Sequence, residues 1–273
     1  MTTSSSAPGG EAGALLATAR IAAQAASNLL RTARPDQIRG KSNARDLVTE
    51  WDLRSEELIR RVLEEHLPGV PVVGEEGGGE HDSARPCWIV DPIDGTVNFA
   101  HGLPVWCVSI AAARGSELLA GVVVAPVLGW WYEAAAGQGA RDGHGQPLAV
   151  STTAALDLAL LATGFPYDRS VNPLDNFAEW EHLQRTAGSC RRLGSAAIDL
   201  CLVAAGAFDG YWERHLGAWD VAAGALIVRE AGGTVTNLAG GAFDLYRGEV
   251  VASNGAIHGG LLAELARARS PAS

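Results

Sequence analysis

The chain has 273 residues and a formal net charge of −10 at pH 7, and 47% of its residues are hydrophobic. This length fits one large domain or two closely packed ones with a sizeable core. The negative charge argues against nonspecific binding to nucleic acid or to an anionic membrane, because both need a basic face on the protein. A phosphorylated substrate is still compatible with this charge if metal cations invert it locally.

The N-terminal part carries no signal for secretion or membrane insertion. Residues 1–10 are rich in Ser, Thr and Gly, and we expect a disordered lead-in there. An alanine-rich amphipathic helix is predicted from Glu11 to Thr32. Its predicted inner face holds Leu15, Ile21, Ala22, Ala25 and Leu29. Polar residues interrupt the apolar run, so we expect neither a signal peptide nor a membrane span, and we expect a cytoplasmic protein.

The four cysteines are distant from one another in the sequence and include no CxxC pair. We interpret them as reduced core residues: Cys87, Cys107, Cys190 and Cys201.

A loop and short strand from Lys41 to Val48 precede a second predicted helix. Thr49 and Asp52 have the spacing of a capping box at the start of this helix, which is a purely structural role for Asp52. The residues predicted to point inward are Leu53, Leu58, Ile59, Val62 and Leu63.

A predicted strand over 70–73 leads into a glycine-rich turn that contains Glu75 and Glu76. Adjacent carboxylates in such a turn are usually only solvated. Because these two follow one strand and precede the next, either could reach the end of the next strand. His81 and Asp82 follow in the loop, and no role is assigned to them.

The segment WIVDPIDGTVNF, residues 88–99, concentrates the functional signals. Cys87–Val90 is predicted to be a buried strand that Asp91-Pro92 ends, since proline cannot donate to a β-ladder. Asp91 and Asp94 then converge, and carboxylate oxygens suit a hard cation such as Mg²⁺. Gly95 and Thr96 follow at a helix start, where free N–H groups can hold a phosphate. The alternative is that these aspartates are ordinary turn residues.

The middle of the chain is predicted to be rich in strands, followed by a turn at 164–167 and a helix over 174–187. The predicted strands are 105–113, 118–124, 130–135 and 158–163.

Two further segments stand out after the middle. Arg191 and Arg192 could attract phosphate, although such a pair is more often a solvated strand edge or a salt-bridge partner. Small residues from Gly194 precede a helix running to about Ala205. Asp220 begins another helix, where it could simply favour the helix dipole. The remaining predicted elements are strands 208–212, 232–235 and 250–253 and a closing helix over 257–269.

Strands and helices alternate along the chain, which indicates a layered α/β fold. We divide it into an N-terminal α+β part, residues 11–150, which carries most candidate ligands, and a C-terminal α/β part, residues 151–273.

Four segments resemble signatures of the inositol monophosphatase family, a family of metal-dependent sugar-phosphate phosphatases. They are KSNARDLVTEWD (41–52), GEE (74–76), DPIDGTVNF (91–99) and WDVAAG (219–224). The resemblance extends from Lys41 to about Gly255. It implies a five-layer αβαβα sandwich of the inositol monophosphatase and fructose-1,6-bisphosphatase type.

The resemblance also implies roles for individual residues. Two or three Mg²⁺ ions would be held by four carboxylates and the carbonyl oxygen of Ile93, the carboxylates being Glu75, Asp91, Asp94 and Asp220. Asp52 and Thr96 would activate the attacking water, together with the ligand Glu75. The predicted substrate contacts are Asp94, Gly95, Thr96, Ser195, Ala196, Glu213 and Asp220, with Glu213 accepting hydrogen bonds from the hydroxyls of a sugar or cyclitol.

The resulting hypothesis is a Mg²⁺-dependent phosphatase that hydrolyses a phosphate monoester of a small polyol, most plainly inositol 1-phosphate, by direct attack of a metal-activated water. The alternatives are relatives that act on fructose 1,6-bisphosphate, histidinol phosphate or phosphoadenosine nucleotides, and a metal-stabilised regulatory or binding protein of the same fold. The resemblance further implies a homodimer and sensitivity to lithium.

Overall fold

The computed structural model describes residues 8–80 and 83–269. Helix α1 begins at Pro8, so the last three residues of the predicted lead-in 1–10 are helical rather than disordered. Residues 1–7 of that lead-in, and His81 and Asp82, lie outside the described residues.

The helices are α1 (Pro8–Leu30), α2 (Glu50–His66), α3 (Thr96–Ala100), α4 (Phe177–Thr186), α5 (Ala196–Ala204), α6 (Ala218–Glu230) and α7 (His258–Arg269). The strands are β1 (Ile38–Gly40), β2 (Leu47–Thr49), β3 (Val72–Gly74), β4 (Cys87–Asp94), β5 (Cys107–Arg114), β6 (Glu117–Ala125), β7 (Trp130–Ala135), β8 (Ala140–Asp142), β9 (Leu160–Thr163), β10 (Ser189–Arg191), β11 (Gly210–Arg214), β12 (Thr234–Thr236) and β13 (Glu249–Ser253).

The strands form two large sheets and a small hairpin. One sheet has six strands in the order β3-β4-β5-β6-β7-β8, and the other has five in the order β10-β9-β11-β13-β12. The six-stranded sheet is antiparallel except for the parallel pair β3-β4. All its strands precede residue 150, and those of the five-stranded sheet follow residue 151.

The helices sort into three layers around these sheets. α1 and α2 cover one face of the six-stranded sheet, α5 and α6 lie between the two sheets, and α4 and α7 cover the outer face of the five-stranded sheet. The predicted αβαβα sandwich is therefore confirmed.

The side chains of β4 show how the layers share the core. Trp88 and Val90 pack into the cluster beneath α1 and α2, whereas Cys87 and Ile89 pack into the cluster around α5 and α6. A strand that is buried on both faces needs this continuous apolar run. The four cysteines are free and buried, as predicted.

Two predicted core residues are exposed instead. Ile21 in α1 is 44% exposed and Leu53 in α2 is 56% exposed. In α1 small alanines such as Ala19 and Ala22 face the sheet, because they allow the helix a close approach. In α2 the inward position is occupied by Asp52 and not by Leu53.

Strand β4 also continues past the predicted stop. It runs to Asp94, with a register shift against β5 between Asp91 and Asp94. Pro92 sits within this irregularity, where it takes no place in the ladder of cross-strand pairs. Strand β11 likewise runs past residue 212, the predicted end of this strand, and continues to Arg214.

Within residues 8–80 and 83–269, no helix combines the length and the apolar character needed to cross a membrane.

The contact between α5 and α6 depends on Gly224. A Cβ atom at this position would lie 2.6 Å from the Cβ of Leu200 in α5. We therefore expect Gly224→Ala to destabilise the fold by about 1–3 kcal/mol, because the two helices would have to separate.

The matched control is Gly260→Ala in α7, where a Cβ would meet nothing within 4 Å. This substitution should be neutral or should stabilise by up to about 1 kcal/mol, through helix propensity. Thermal unfolding of both variants measures the difference, and an equal effect at the two positions would contradict the proposed close packing.

Candidate active site

Three carboxylates from distant parts of the sequence converge on one cleft. Asp91 and Asp94 come from the end of β4, and Asp220 comes from the first turn of α6. Oxygen atoms of the three side chains lie within 4.8 Å of one another. This geometry agrees with the convergence predicted from the sequence motifs.

The register shift in β4 sets the positions of the first two aspartates. Asp91 is 1% exposed, and its Oδ1 accepts a hydrogen bond from the N–H of Ile93 at 3.0 Å. The irregular stretch around Pro92 allows both Asp91 and Asp94 to face the cleft, although they are three residues apart in one strand.

The start of α5 holds Asp94. Its Oδ2 accepts hydrogen bonds from Ser195 Oγ at 2.6 Å and from the N–H of Ala197 at 2.7 Å, and its Oδ1 accepts from the N–H of Ala196 at 3.3 Å. Ser195 is also the N-cap of this helix. In this structure Ser195 and Ala196 therefore orient Asp94, and their predicted contact with a substrate ring stays a prediction.

Asp220 is held in a similar way at the start of α6. Its Oδ2 accepts a hydrogen bond from the N–H of Gly217 at 2.6 Å. The predicted structural role of Asp220 at a helix start and its position in the carboxylate cluster therefore occur together.

Glu75 lines the same cleft, and Glu76 does not. Lys41 binds both glutamates: its Nζ lies 2.7 Å from Glu75 Oε1, and it also contacts Glu76 Oε1. Sequence analysis assigned no role to Lys41, although the residue is the first of the matched segment KSNARDLVTEWD. Its single positive charge offsets part of the negative charge of the two glutamates.

The position of Asp52 is compatible with both predicted roles, helix capping and a contact with Thr96. Its Oδ2 accepts from Thr49 N at 2.8 Å and from Thr49 Oγ1 at 2.6 Å, so the predicted capping box is confirmed. Its Oδ1 faces Thr96 Oγ1 at 3.1 Å, and the same hydroxyl lies 3.0 Å from the carbonyl oxygen of Ile93. Thr96 thus connects Asp52 to the end of β4.

Gly95 makes the turn between β4 and α3 possible. Its φ is +94°, and a Cβ there would lie 3.1 Å from the carbonyl oxygens of Val105 and Gly194. Only glycine fits this backbone without strain. The turn places Gly95 and Thr96 in the wall of the cleft, as the sequence predicted.

The pKa values of the acids in this cleft are raised above their ordinary values. Burial raises the pKa of Asp91 well above its ordinary value, and the negative charges of Glu75, Asp94 and Asp220 raise it further. Burial also raises the pKa of Glu75 to about 7, although Lys41 opposes this shift. Asp94 shifts less, since the hydrogen bonds from Ser195 and α5 favour its charged form.

The donor set fits a hard divalent cation. It consists of oxygen atoms alone, which Mg²⁺ prefers over nitrogen or sulfur ligands. Among the described residues, no Lys or Arg forms an ion pair with Asp91, Asp94 or Asp220. Buried like charges of this kind are unfavourable unless a cation neutralises them.

A second pocket adjoins the carboxylate cleft, and four residues line both: Asp94, Tyr167, His215 and Asp220. Glu213 lies in it, as predicted for a substrate contact, and burial raises its pKa to about 7. Arg192 lines this pocket, whereas Arg191 bonds back to Ser189 Oγ and to the carbonyl of Cys190 at the sheet edge. Tyr167, Asp199 and His215 are polar residues of this pocket that were not predicted from the sequence as part of the site.

Comparison with known proteins agrees with this geometry. Residues 13–270 match the model of the inositol monophosphatase family. The chain is 43% identical over 244 residues to a protein of Synechocystis sp. named inositol-1-monophosphatase, covering 89% of this chain and 85% of that protein. It is 42% identical over 219 residues to the Nus factor SuhB of Pseudomonas aeruginosa, covering 78% of this chain and 80% of the relative.

A solved structure of inositol monophosphatase from Anabaena (Nostoc) sp. superposes with a TM-score of 0.85 at 37% identity, covering 92% of this chain and 95% of that one. Sequence, fold and the carboxylate cleft lead to the same assignment. The chain therefore belongs to the inositol monophosphatase family of phosphatases.

Proposed function

We propose that this chain is a Mg²⁺-dependent phosphatase whose substrate is the phosphate monoester of a small polyol, inositol 1-phosphate in particular. The observation that carries the proposal is the convergence of Asp91, Asp94 and Asp220 in one cleft beside a pocket that contains Glu213. The name of the Synechocystis relative supports the choice of substrate.

The residues that would hold two or three Mg²⁺ ions are Glu75, Asp91, Asp94 and Asp220, with the carbonyl oxygen of Ile93. When bound, the ions would supply Lewis acidity toward the attacking water and would balance the charge of the phosphoryl group. The protein's own contribution is to hold the carboxylates in place before the substrate arrives, which avoids reorganisation during the reaction.

Thr96 and Asp52 are suited to orient the attacking water and to take its proton. The Thr96 hydroxyl has a single proton, and when it donates that proton to Asp52 Oδ1, its lone pairs are free to accept a hydrogen bond from water. Burial raises the pKa of Asp52, so its carboxylate binds a proton more readily than an ordinary aspartate does. The carbonyl of Ile93 is then left free to serve as a ligand.

The remaining predicted contacts place the phosphate group in the carboxylate cleft and the polyol in the adjoining pocket. The N–H groups of Gly95 and Thr96 would hold the phosphate at the start of α3. Glu213 would accept hydrogen bonds from the polyol hydroxyls, and Ser195 and Ala196 would border the ring. No covalent phosphoenzyme is needed, since water attacks the phosphorus directly.

We also propose that the enzyme is cytoplasmic and homodimeric, with residues 11–150 and 151–273 as its two structural parts. Exposed apolar side chains at the start of α4 and in the segment before it support a contact surface for a second copy, and they include Val171, Leu174 and Phe177.

The first test concerns the metal. Adding Mg²⁺ should raise the Tm of the wild-type protein, because a ligand that binds only the folded state stabilises it. Asp220→Asn removes a charge from the cluster and should abolish most of this shift and most of the phosphate release. LiCl should inhibit the release by the wild type.

The control for this test is Asp157→Asn, which removes an exposed carboxylate that lines neither pocket and should leave the Mg²⁺ response intact. Full activity of the wild type in excess chelator would rule out the metal-dependent proposal.

The second test concerns Thr96. Thr96→Ala should lower kcat with little change in KM, because a group that orients the attacking water acts mainly in the transition state. We expect a loss of about 10²-fold or more, as for other groups that serve in proton transfer. Thr96→Ser retains the hydroxyl and should retain most of the activity. A raised KM at constant kcat would instead make Thr96 a phosphate-binding residue only.

The third test concerns substrate choice. Glu213 should repel a second phosphate near the polyol pocket, so monophosphates should be preferred to bisphosphates. The measurement is kcat/KM for inositol 1-phosphate, fructose 1,6-bisphosphate and a phosphoadenosine nucleotide at saturating Mg²⁺. If either competitor were hydrolysed at least tenfold more efficiently than inositol 1-phosphate, the assignment of inositol 1-phosphate as substrate would be wrong, and only the assignment as a phosphatase would remain.

A further inference from the structure

Asp199 is a buried acid that the proposed reaction does not use. It lies in α5, is 1% exposed, and its Oδ1 has no hydrogen-bond partner among the described residues. Leaving a buried polar atom without a partner is costly, so such an atom calls for an explanation. Asp94, close by in the same region, is in contrast bonded to Ser195 and to two backbone N–H groups.

The position of Asp199 suggests what the missing partner is. Its side chain lines the polyol pocket together with Glu213 and Arg192. The carboxylate of Glu213 rests on Gly164, where a Cβ would lie 2.1 Å from Glu213 Oε1, and Tyr211 donates its hydroxyl hydrogen to Glu213 Oε2. Two carboxyl groups thus border one small pocket. The protein supplies a hydrogen-bond donor to Glu213 but, among the described residues, none to Asp199 Oδ1.

The electrostatics of the pocket favour a ligand that donates hydrogen bonds. Burial raises the pKa of Asp199 well above its ordinary value, and the negative charges of Glu213 and Asp94 add to this shift. Arg192 lowers the pKa of both Asp199 and Glu213, but it forms no ion pair with either among the described residues. A ligand with several hydroxyl groups would supply the donors that the pocket lacks without bringing a further negative charge.

We propose that Asp199 is a second hydroxyl acceptor beside Glu213 and that it selects phosphate monoesters of polyols with two hydroxyls placed to reach both carboxyl groups. This inference rests on the proposed function and deepens it by naming a specificity-determining residue. It distinguishes a cyclitol or sugar phosphate, which reaches both acids, from a simple aryl or alkyl phosphate, which reaches neither.

The test compares wild type and Asp199→Ala on inositol 1-phosphate and on p-nitrophenyl phosphate, which has no hydroxyl group. The variant should lose roughly 10- to 100-fold in kcat/KM on inositol 1-phosphate, mainly through KM, because a hydrogen bond to the bound substrate is missing. On p-nitrophenyl phosphate the two proteins should agree within about twofold. Asp199→Asn, which retains one acceptor oxygen, should lose less than Asp199→Ala on the polyol substrate.

The matched control is Asp209→Ala. Asp209 is also a buried aspartate, but its carboxylate accepts from the N–H of Leu160 at 2.7 Å and from Ser151 Oγ. Removing it should lower the Tm and affect both substrates alike. Removing Asp199 should leave the Tm unchanged or higher, because the substitution deletes a buried polar atom that has no partner.

Equal losses on both substrates, or a fall in Tm like that of Asp209→Ala, would make Asp199 a structural residue and overturn the inference. Unchanged kinetics on both substrates would overturn it as well. If the wild type released phosphate from neither substrate, the proposed function would fail separately. Calorimetric titration of inositol 1-phosphate in the presence of Ca²⁺ would then decide the inference, which requires weaker binding by Asp199→Ala and is contradicted by equal binding.

Discussion

The main constraint on this structure is that several carboxyl groups are buried close together. Asp91 and Asp94 are almost fully buried, and Asp220 meets them across the cleft. Burial raises the pKa values of Asp91 and Asp220, and the charges of the neighbouring carboxylates raise them further. A folded chain that keeps this arrangement has a place for positive charge, and hard cations with oxygen ligands fit it.

Helix starts provide the support that makes this arrangement possible. Asp52 accepts a hydrogen bond from the N–H of Thr49, the N-cap of α2. Asp94 accepts hydrogen bonds from N–H groups at the start of α5, and Asp220 accepts one from the N–H of Gly217 just before α6. The N-terminal end of a helix carries partial positive charge, so each site favours a carboxylate. The layered fold brings these helix starts together at the end of β4, and Glu75 and Lys41 complete the rim from the turn after β3 and the loop before β2. This explains why residues separated by more than a hundred positions form one cleft.

Part of this could be predicted from the sequence, because it depends on local spacing. The Thr49–Asp52 capping box, the pair Asp91 and Asp94, and the helix start at Asp220 are all short-range patterns, and their resemblance to family signatures joined them into one site. Other features depend on packing that no local pattern records. Ile21 is exposed because alanines allow α1 to approach the sheet, and β4 passes Pro92 because β5 pairs on both sides of the irregularity. In the sequence, Asp199 is an ordinary polar residue in an apolar helix. Only the fold shows that it lines the same pocket as Glu213.

The proposed metal site is tested most directly by anomalous diffraction from crystals of the protein soaked in Mn²⁺, a hard cation that accepts the same oxygen ligands as Mg²⁺. Anomalous peaks are expected within the cleft, at ions bound by carboxylate oxygens of Asp91, Asp94 and Asp220, with Glu75 and the carbonyl of Ile93 as further ligands. Peaks confined to other parts of the surface, with the three aspartates left without a metal, would contradict the proposed metal site.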